Sequence, residues 1–112
     1  MSLRKEQSGF ARDVAKLLAF IFNNGYEVTF GEALRTAYQQ KEYLRTGKSH
    51  TMRSKHLRKL AIDLNFFKDG KITYSKKDLQ FIGDYWELLN PLNKWGGNFK
   101  SFTDVPHFQR TV

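Results

Sequence analysis

The chain has 112 residues, 40% hydrophobic and 15% aromatic, which fits one globular domain over residues 1–112 and excludes a disordered chain. With no cysteine, a disulfide framework and a thiolate metal site are both excluded, and any metal must be held by His, Asp or Glu. Nineteen Lys and Arg against eleven Asp and Glu give a net charge of +8, which favours an anionic partner: nucleic acid, anionic lipid or an acidic polymer.

The first seven residues are polar and lead into no signal-peptide core. No apolar run approaches the ~20 residues that a membrane-spanning helix needs. The expectation is a chain made in the cytoplasm, with no membrane insertion, that needs another exit route for any work outside. Residues 7–24 read as an amphipathic helix, because Phe10, Val14, Leu17, Leu18 and Ile21 recur at helical spacing and Asn23, Asn24 and Gly25 close it. Residues 26–30 read as a strand. Residues 36–45 read as a short helix ended by Gly47, and residues 48–55 as a polar loop.

Over residues 60–67, Leu60, Ile62, Leu64 and Phe66 alternate with Ala61, Asp63, Asn65 and Phe67. As a strand, this segment places Asp63 on the face opposite the leucines. A helix is the competing reading, but Asp69-Gly70 marks a hairpin turn into a strand over residues 71–74 and favours the strand. Ser75 can cap a helix over residues 76–89, with Asp78 in its first turn and Leu79, Ile82, Trp86 and Leu89 as its buried stripe. Pro91 follows its end. Pro106 disfavours helix at Val105, so residues 106–110 read as a final strand. Helices mixed with antiparallel hairpins give an α+β domain, a central antiparallel sheet flanked by helices.

Three residues in this frame have the chemistry of a metal site: His56, Asp63 and His107. Two neutral imidazoles and one carboxylate are a common catalytic zinc set, because a fourth position stays open for water. Asp104, three residues before His107, is a candidate base that takes a proton from water and passes it to a leaving amine. Arg35 is a candidate for steadying an oxyanion or a substrate carboxylate. Parity restricts the idea: positions i and i+3 of a strand face opposite sides, so Asp104 and His107 share a site only if the chain bends before His107. His56 must likewise lie in the loop before the strand. Each residue also has a plainer reading. His56, between Lys55 and Arg58, suits a surface position, as does Arg35. Asp63 could be an exposed strand residue, Asp104 a turn cap, and His50 a solvated loop residue.

The pattern as a whole resembles the zinc peptidase family of D-Ala-D-Ala peptidases and phage L-alanyl-D-glutamate endopeptidases. Ser54, His56 and Asp63 match its Ser-x-His-x6-Asp motif, with a small residue, Ala61, two before the Asp. Asp104 and His107 match its acid-x-x-His motif, and Trp95-Gly96-Gly97 precedes that motif. Glu32-Ala33-Leu34-Arg35-Thr36, followed by Gln39 or Gln40, is similar to its upstream arginine segment. Four blocks in order are far more specific than any one alone.

The resemblance implies a D-Ala-D-Ala peptidase or hedgehog-like fold and one zinc held by His56, Asp63 and His107. It implies that Asp104 is the general base, that Arg35 steadies the substrate carbonyl or carboxylate, and that Ser54 lies near the substrate. One departure is Lys59, where many members have glycine; its Cβ suggests a different turn there. The expected function is hydrolysis of peptidoglycan stem peptides at the L-alanyl-D-glutamate bond, as in a phage or prophage endolysin. The expected exit route is a holin-type partner, and a monomer is expected. The alternatives are a D,D-carboxypeptidase or dipeptidase of the same family and a non-catalytic basic nucleic-acid-binding module, whose most basic stretch is residues 48–59. No recognised RNA- or DNA-binding signature accompanies that stretch.

Overall fold

The computed structural model describes residues 2–31, 38, 41, 42, 45, 46 and 58–112. The first helix, α1 (Leu3–Asn23), begins four residues before the expected start at residue 7, because the Ser2 hydroxyl accepts from the Lys5 N–H and caps it. Phe10, Leu17 and Ile21 on its inner face are buried. Gly25, with φ of +85°, turns the chain out of the helix into β1 (Glu27–Phe30). The helix expected over residues 36–45 lies mostly outside the described residues, although Tyr38, Lys41, Glu42 and Arg45 are helical. The loop expected over residues 48–55 lies outside them entirely.

The alternating segment forms the longest strand, β2 (Ala61–Lys68), and the competing helix is ruled out. Asp69 and Gly70 both take positive φ, 51° and 77°, as a two-residue hairpin turn requires, and lead into β3 (Lys71–Thr73). Helix α2 (Lys76–Leu89) follows, its Ser75 hydroxyl accepting from the Asp78 N–H. Two elements go beyond the sequence reading: a three-residue strand β4 (Asn93–Trp95) and a 3-10 turn at Gly96–Asn98. The last strand, β5 (His107–Arg110), begins one residue later than expected, because Val105 and Pro106 form a turn.

Among the described residues the sheet is antiparallel with the order β1-β2-β5-β4, and β3 continues the β5 side of β2. The register pairs Asp63 with His107 and Ala61 with Gln109 across β2 and β5. Opposed residues share a face, and successive residues alternate. Ile62, Leu64, Phe66, Trp95 and Phe108 therefore fall on one face and join Phe10, Leu17, Ile21, Leu79, Ile82 and Trp86 of the helices in a single core. Phe10 with Trp86 and Trp86 with Phe108 meet edge to face, while Trp95 stacks on Phe108. Asp63, Asn65, His107 and Gln109 are left on the opposite face.

Arg110, on the core face, is buried and tied to α1. Its guanidinium donates to the Asp13 carboxylate at 2.6 Å and to Asn93 Oδ1 at 3.2 Å. Asn93 in turn donates to Asp13 at 3.1 Å. A buried charge is tolerated only when paired in this way. The network anchors α1 to the strand that carries His107. Among the described residues no helix is long and apolar enough to cross a membrane.

Candidate metal centre

Adjacent strands bring two of the expected ligands together. His107 Nδ1 lies 3.1 Å from Asp63 Oδ1. Two donors bound tetrahedrally to one zinc at about 2.0–2.2 Å lie roughly 3.3–3.6 Å apart, so a few tenths of an ångström of opening would let the pair share an ion. Both side chains are mostly covered, with His107 11% and Asp63 25% exposed. The other ring nitrogen of His107, Nε2, lies 2.7 Å from Gln109 Oε1. An amide oxygen only accepts, so Nε2 donates to it.

Burial of His107 opposes its positive charge. The hydrogen bonds to Asp63 and Gln109 and the negative charges of Asp63 and Asp104 outweigh it, and the pKa is raised above 6.5. When both ring contacts are hydrogen bonds, both nitrogens carry protons. A metal held at Nδ1 would take the place of that nitrogen's proton. The donor set therefore suits a divalent ion that prefers nitrogen and oxygen ligands.

The bend that parity demands before His107 is present. The His107 N–H donates to the Asp104 carbonyl at 3.1 Å, closing a turn through Val105 and Pro106. The Pro106 carbonyl accepts from the Leu64 N–H at 2.9 Å, which fixes the turn against β2. Asp104 thus lies at the start of this turn rather than on the strand, and its negative charge favours the protonated His107 imidazole.

Trp95, Gly96 and Gly97 build the seat for this turn. The Trp95 indole is fully buried, and its Nε1 donates to the Val105 carbonyl at 2.7 Å. A Cβ on Gly83 of α2 or on Gly97 would collide with that indole ring. A Cβ on Gly96 would collide with the Asp104 carbonyl oxygen and come within 2.9 Å of His107 Cβ. The glycines are therefore required by close approach. Gly31 does similar work on the other side of β2. Its N–H donates to the Asp63 carbonyl at 2.8 Å, and a Cβ there would stand 3.1 Å from Asp63 Cβ.

His56, Ser54, Arg35 and His50 lie outside the described residues. Among the described residues no cluster of three metal-ligating side chains occurs. The turn at Lys59 corrects one expectation. Lys59 has φ of 58°, so it enters the left-handed region that glycine favours rather than replacing it with a different turn. Gln109 and Gly31 are the site residues that sequence reasoning misses. The only available signal for Gln109 is its i+2 spacing from His107, which puts both on one strand face.

The family described as D-alanyl-D-alanine carboxypeptidase, one of the M15 peptidases, matches residues 46–110. The L-alanyl-D-glutamate peptidase of Listeria phage A118 is 36% identical over 98 residues. That match covers 84% of this chain and 34% of the phage protein, so the chain spans about a third of the relative's length. The L-Ala D-Glu endopeptidase ChiX of Serratia marcescens has a similar solved structure, with a TM-score of 0.73 and 26% identity. The similarity covers 96% of this chain and 85% of that one.

Proposed function

This chain belongs to the M15 peptidase family, and from that premise we propose that it is a zinc-dependent peptidase of peptidoglycan stem peptides, cutting between L-alanine and D-glutamate. The observation that carries the reading is the 3.1 Å approach of Asp63 Oδ1 to His107 Nδ1 across β2 and β5, with Asp104 on the turn that delivers His107. The names of the phage and Serratia relatives support the endopeptidase over the D,D-carboxypeptidase that the family description names.

In this reading His56, Asp63 and His107 hold one zinc. Bound there, zinc supplies a Lewis acid that polarises the scissile carbonyl and acidifies water. Asp104 takes the proton from the attacking water and hands it to the departing D-glutamate amine. Arg35 steadies the substrate carbonyl or carboxylate, and its planar fork suits either. Ser54 lies near the substrate. The covered setting of Asp63 and His107 limits competing water and strengthens these interactions. The net charge of +8 favours retention on an anionic wall polymer. Synthesis in a host cytoplasm, release by a holin-type partner and action as a monomer complete the proposal.

Metal analysis beside a muropeptide digest tests it. One zinc per chain is expected, lost in His56→Ala, Asp63→Ala and His107→Ala and kept in His50→Ala. Mass spectrometry of the digest should show new L-alanine C-termini and new D-glutamate N-termini. Release of D-alanine alone would replace the endopeptidase with a carboxypeptidase. Salt-sensitive nucleic-acid binding with no metal would favour the basic binding module instead.

A further inference from the structure

We propose that Gln109 is a positioning residue of the metal centre: its side-chain carbonyl holds the His107 proton on Nε2 and so aims Nδ1 at the ion. The inference rests on the reading of His107 as a ligand. Its basis is the 2.7 Å contact between Gln109 Oε1 and His107 Nε2, the shortest polar contact described for this imidazole. Gln109 follows His107 by two residues on β5, so the two side chains project from the same face.

The chemistry follows from the donor and acceptor inventory. Gln109 Oε1 has lone pairs and no proton, so the nitrogen facing it must be N–H. A neutral imidazole with its proton on Nε2 carries its free lone pair on Nδ1. Nδ1 is the atom that faces Asp63 Oδ1 at 3.1 Å. One hydrogen bond thus chooses the tautomer and fixes the ring's rotation. The cross-strand partner of Gln109 is Ala61, which is buried and small. Directly opposed Cβ atoms in such a pair are about 4.5–5.5 Å apart, so a bulky residue at 61 would compete for the space around the Gln109 side chain. Gln109 is also held from below by its backbone, whose carbonyl accepts from Trp86 Nε1 at 3.1 Å. That bond survives any change of its side chain.

The test uses the intact chain, zinc alone as probe, and two variants. Gln109→Leu removes the acceptor at similar volume, whereas Gln109→Glu keeps an acceptor facing Nε2. Zinc affinity is measured by competition with a chromophoric chelator, and the protonation of each His107 nitrogen by nitrogen-15 NMR. Gln109→Leu should weaken zinc about 10–100-fold, the usual effect of losing a group that orients a ligand. Gln109→Glu should bind zinc at least as tightly as the parent. The parent and Gln109→Glu should show Nε2 protonated and Nδ1 on the metal. Coordination through Nε2 would overturn the proposal, as would parental affinity in Gln109→Leu. If Gln109→Leu fails to fold, Gln109→Glu decides alone: parental or tighter affinity supports the proposal, and tenfold weaker binding overturns it. A parent protein that binds no zinc through His107 would overturn the ligand reading as well. A zinc-binding parent with an unaffected Gln109→Leu variant would remove Gln109 alone.

Discussion

The backbone of Gly96 clasps that of Asp104: the Gly96 carbonyl accepts the Asp104 N–H at 2.9 Å, and the absent Cβ of Gly96 leaves room for the Asp104 carbonyl. That carbonyl in turn accepts the His107 N–H. The candidate base and a candidate ligand therefore share one backbone turn seated on one glycine. Gly96→Ala should displace the turn, because the added Cβ meets backbone, which cannot rotate away. Overpacking of this kind costs about 1–3 kcal/mol, read by urea unfolding. Zinc affinity and peptidase activity should fall together, each by tenfold or more. A stable Gly96→Ala protein with parental zinc binding would show that the clasp does not set the site.

Asp104 is expected to move protons rather than to hold metal. Asp104→Ala and Asp104→Asn should keep one zinc per chain, measured by metal analysis. Both should lose about a hundredfold or more in turnover of a peptide containing L-Ala-D-Glu, the usual weight of a general base. Loss of zinc in Asp104→Asn would instead make it a ligand. Near-normal turnover would take it out of the mechanism.

The metal-free protein should gain stability from His107 in a definite pH window. Burial works against the charged ring, but Asp63, Gln109 and the Asp104 charge outweigh it and raise its pKa above 6.5. A raised folded pKa means that the folded state holds the proton more tightly than the unfolded state does. The contribution is therefore full below pH 6.5, the unfolded value, and is lost as pH rises through the folded value. Urea midpoints of the metal-free protein should show this fall, and Asp63→Asn should flatten it. A proton and a metal compete for Nδ1, so zinc affinity should weaken as pH drops through the same region. A stability rise from His107 across that window would reverse the sign and refute the account.

The parts legible in the sequence are those with local causes. The alternation over β2 places Asp63 away from the core, and Asp69-Gly70 marks the hairpin. Ser75 marks the start of α2. The pairing of β5 with β2 has no local signature, because 44 residues separate Asp63 from His107. Strand β4 escapes notice because it is three residues long and its period is unreadable. The start of α1 is hidden because its first turn is polar and carries no apolar repeat; there Glu6 lies beside Arg110 instead. Trp95-Gly96-Gly97 is visible as a motif, but its purpose depends on Asp104 and Val105 arriving from a later turn. Gln109 is one polar residue in a strand until His107 is seen beside it.

Lys59 carries strain that glycine would relieve. Its φ of 58° puts its Cβ against its own backbone, at a cost of about 1–2 kcal/mol in the left-handed region. Lys59→Gly removes that cost. It also loosens the unfolded chain, which offsets roughly 0.4–1 kcal/mol of the gain. The net effect should be a stabilisation of about 0.8 kcal/mol, read as a higher urea midpoint at unchanged slope. Lys59→Val should destabilise by about 1 kcal/mol or more, since a β-branched side chain tolerates positive φ least. The residue matters to the site because the turn leads through Leu60 into β2, whose register pairs Asp63 with His107. Since Lys59 already takes the glycine-favoured conformation, Lys59→Gly should leave zinc binding and bond specificity as they are. A Lys59→Gly protein that loses more than ~1 kcal/mol would show that the lysine side chain contributes more than its strain costs. A changed cleavage site in that variant would make position 59 a specificity determinant.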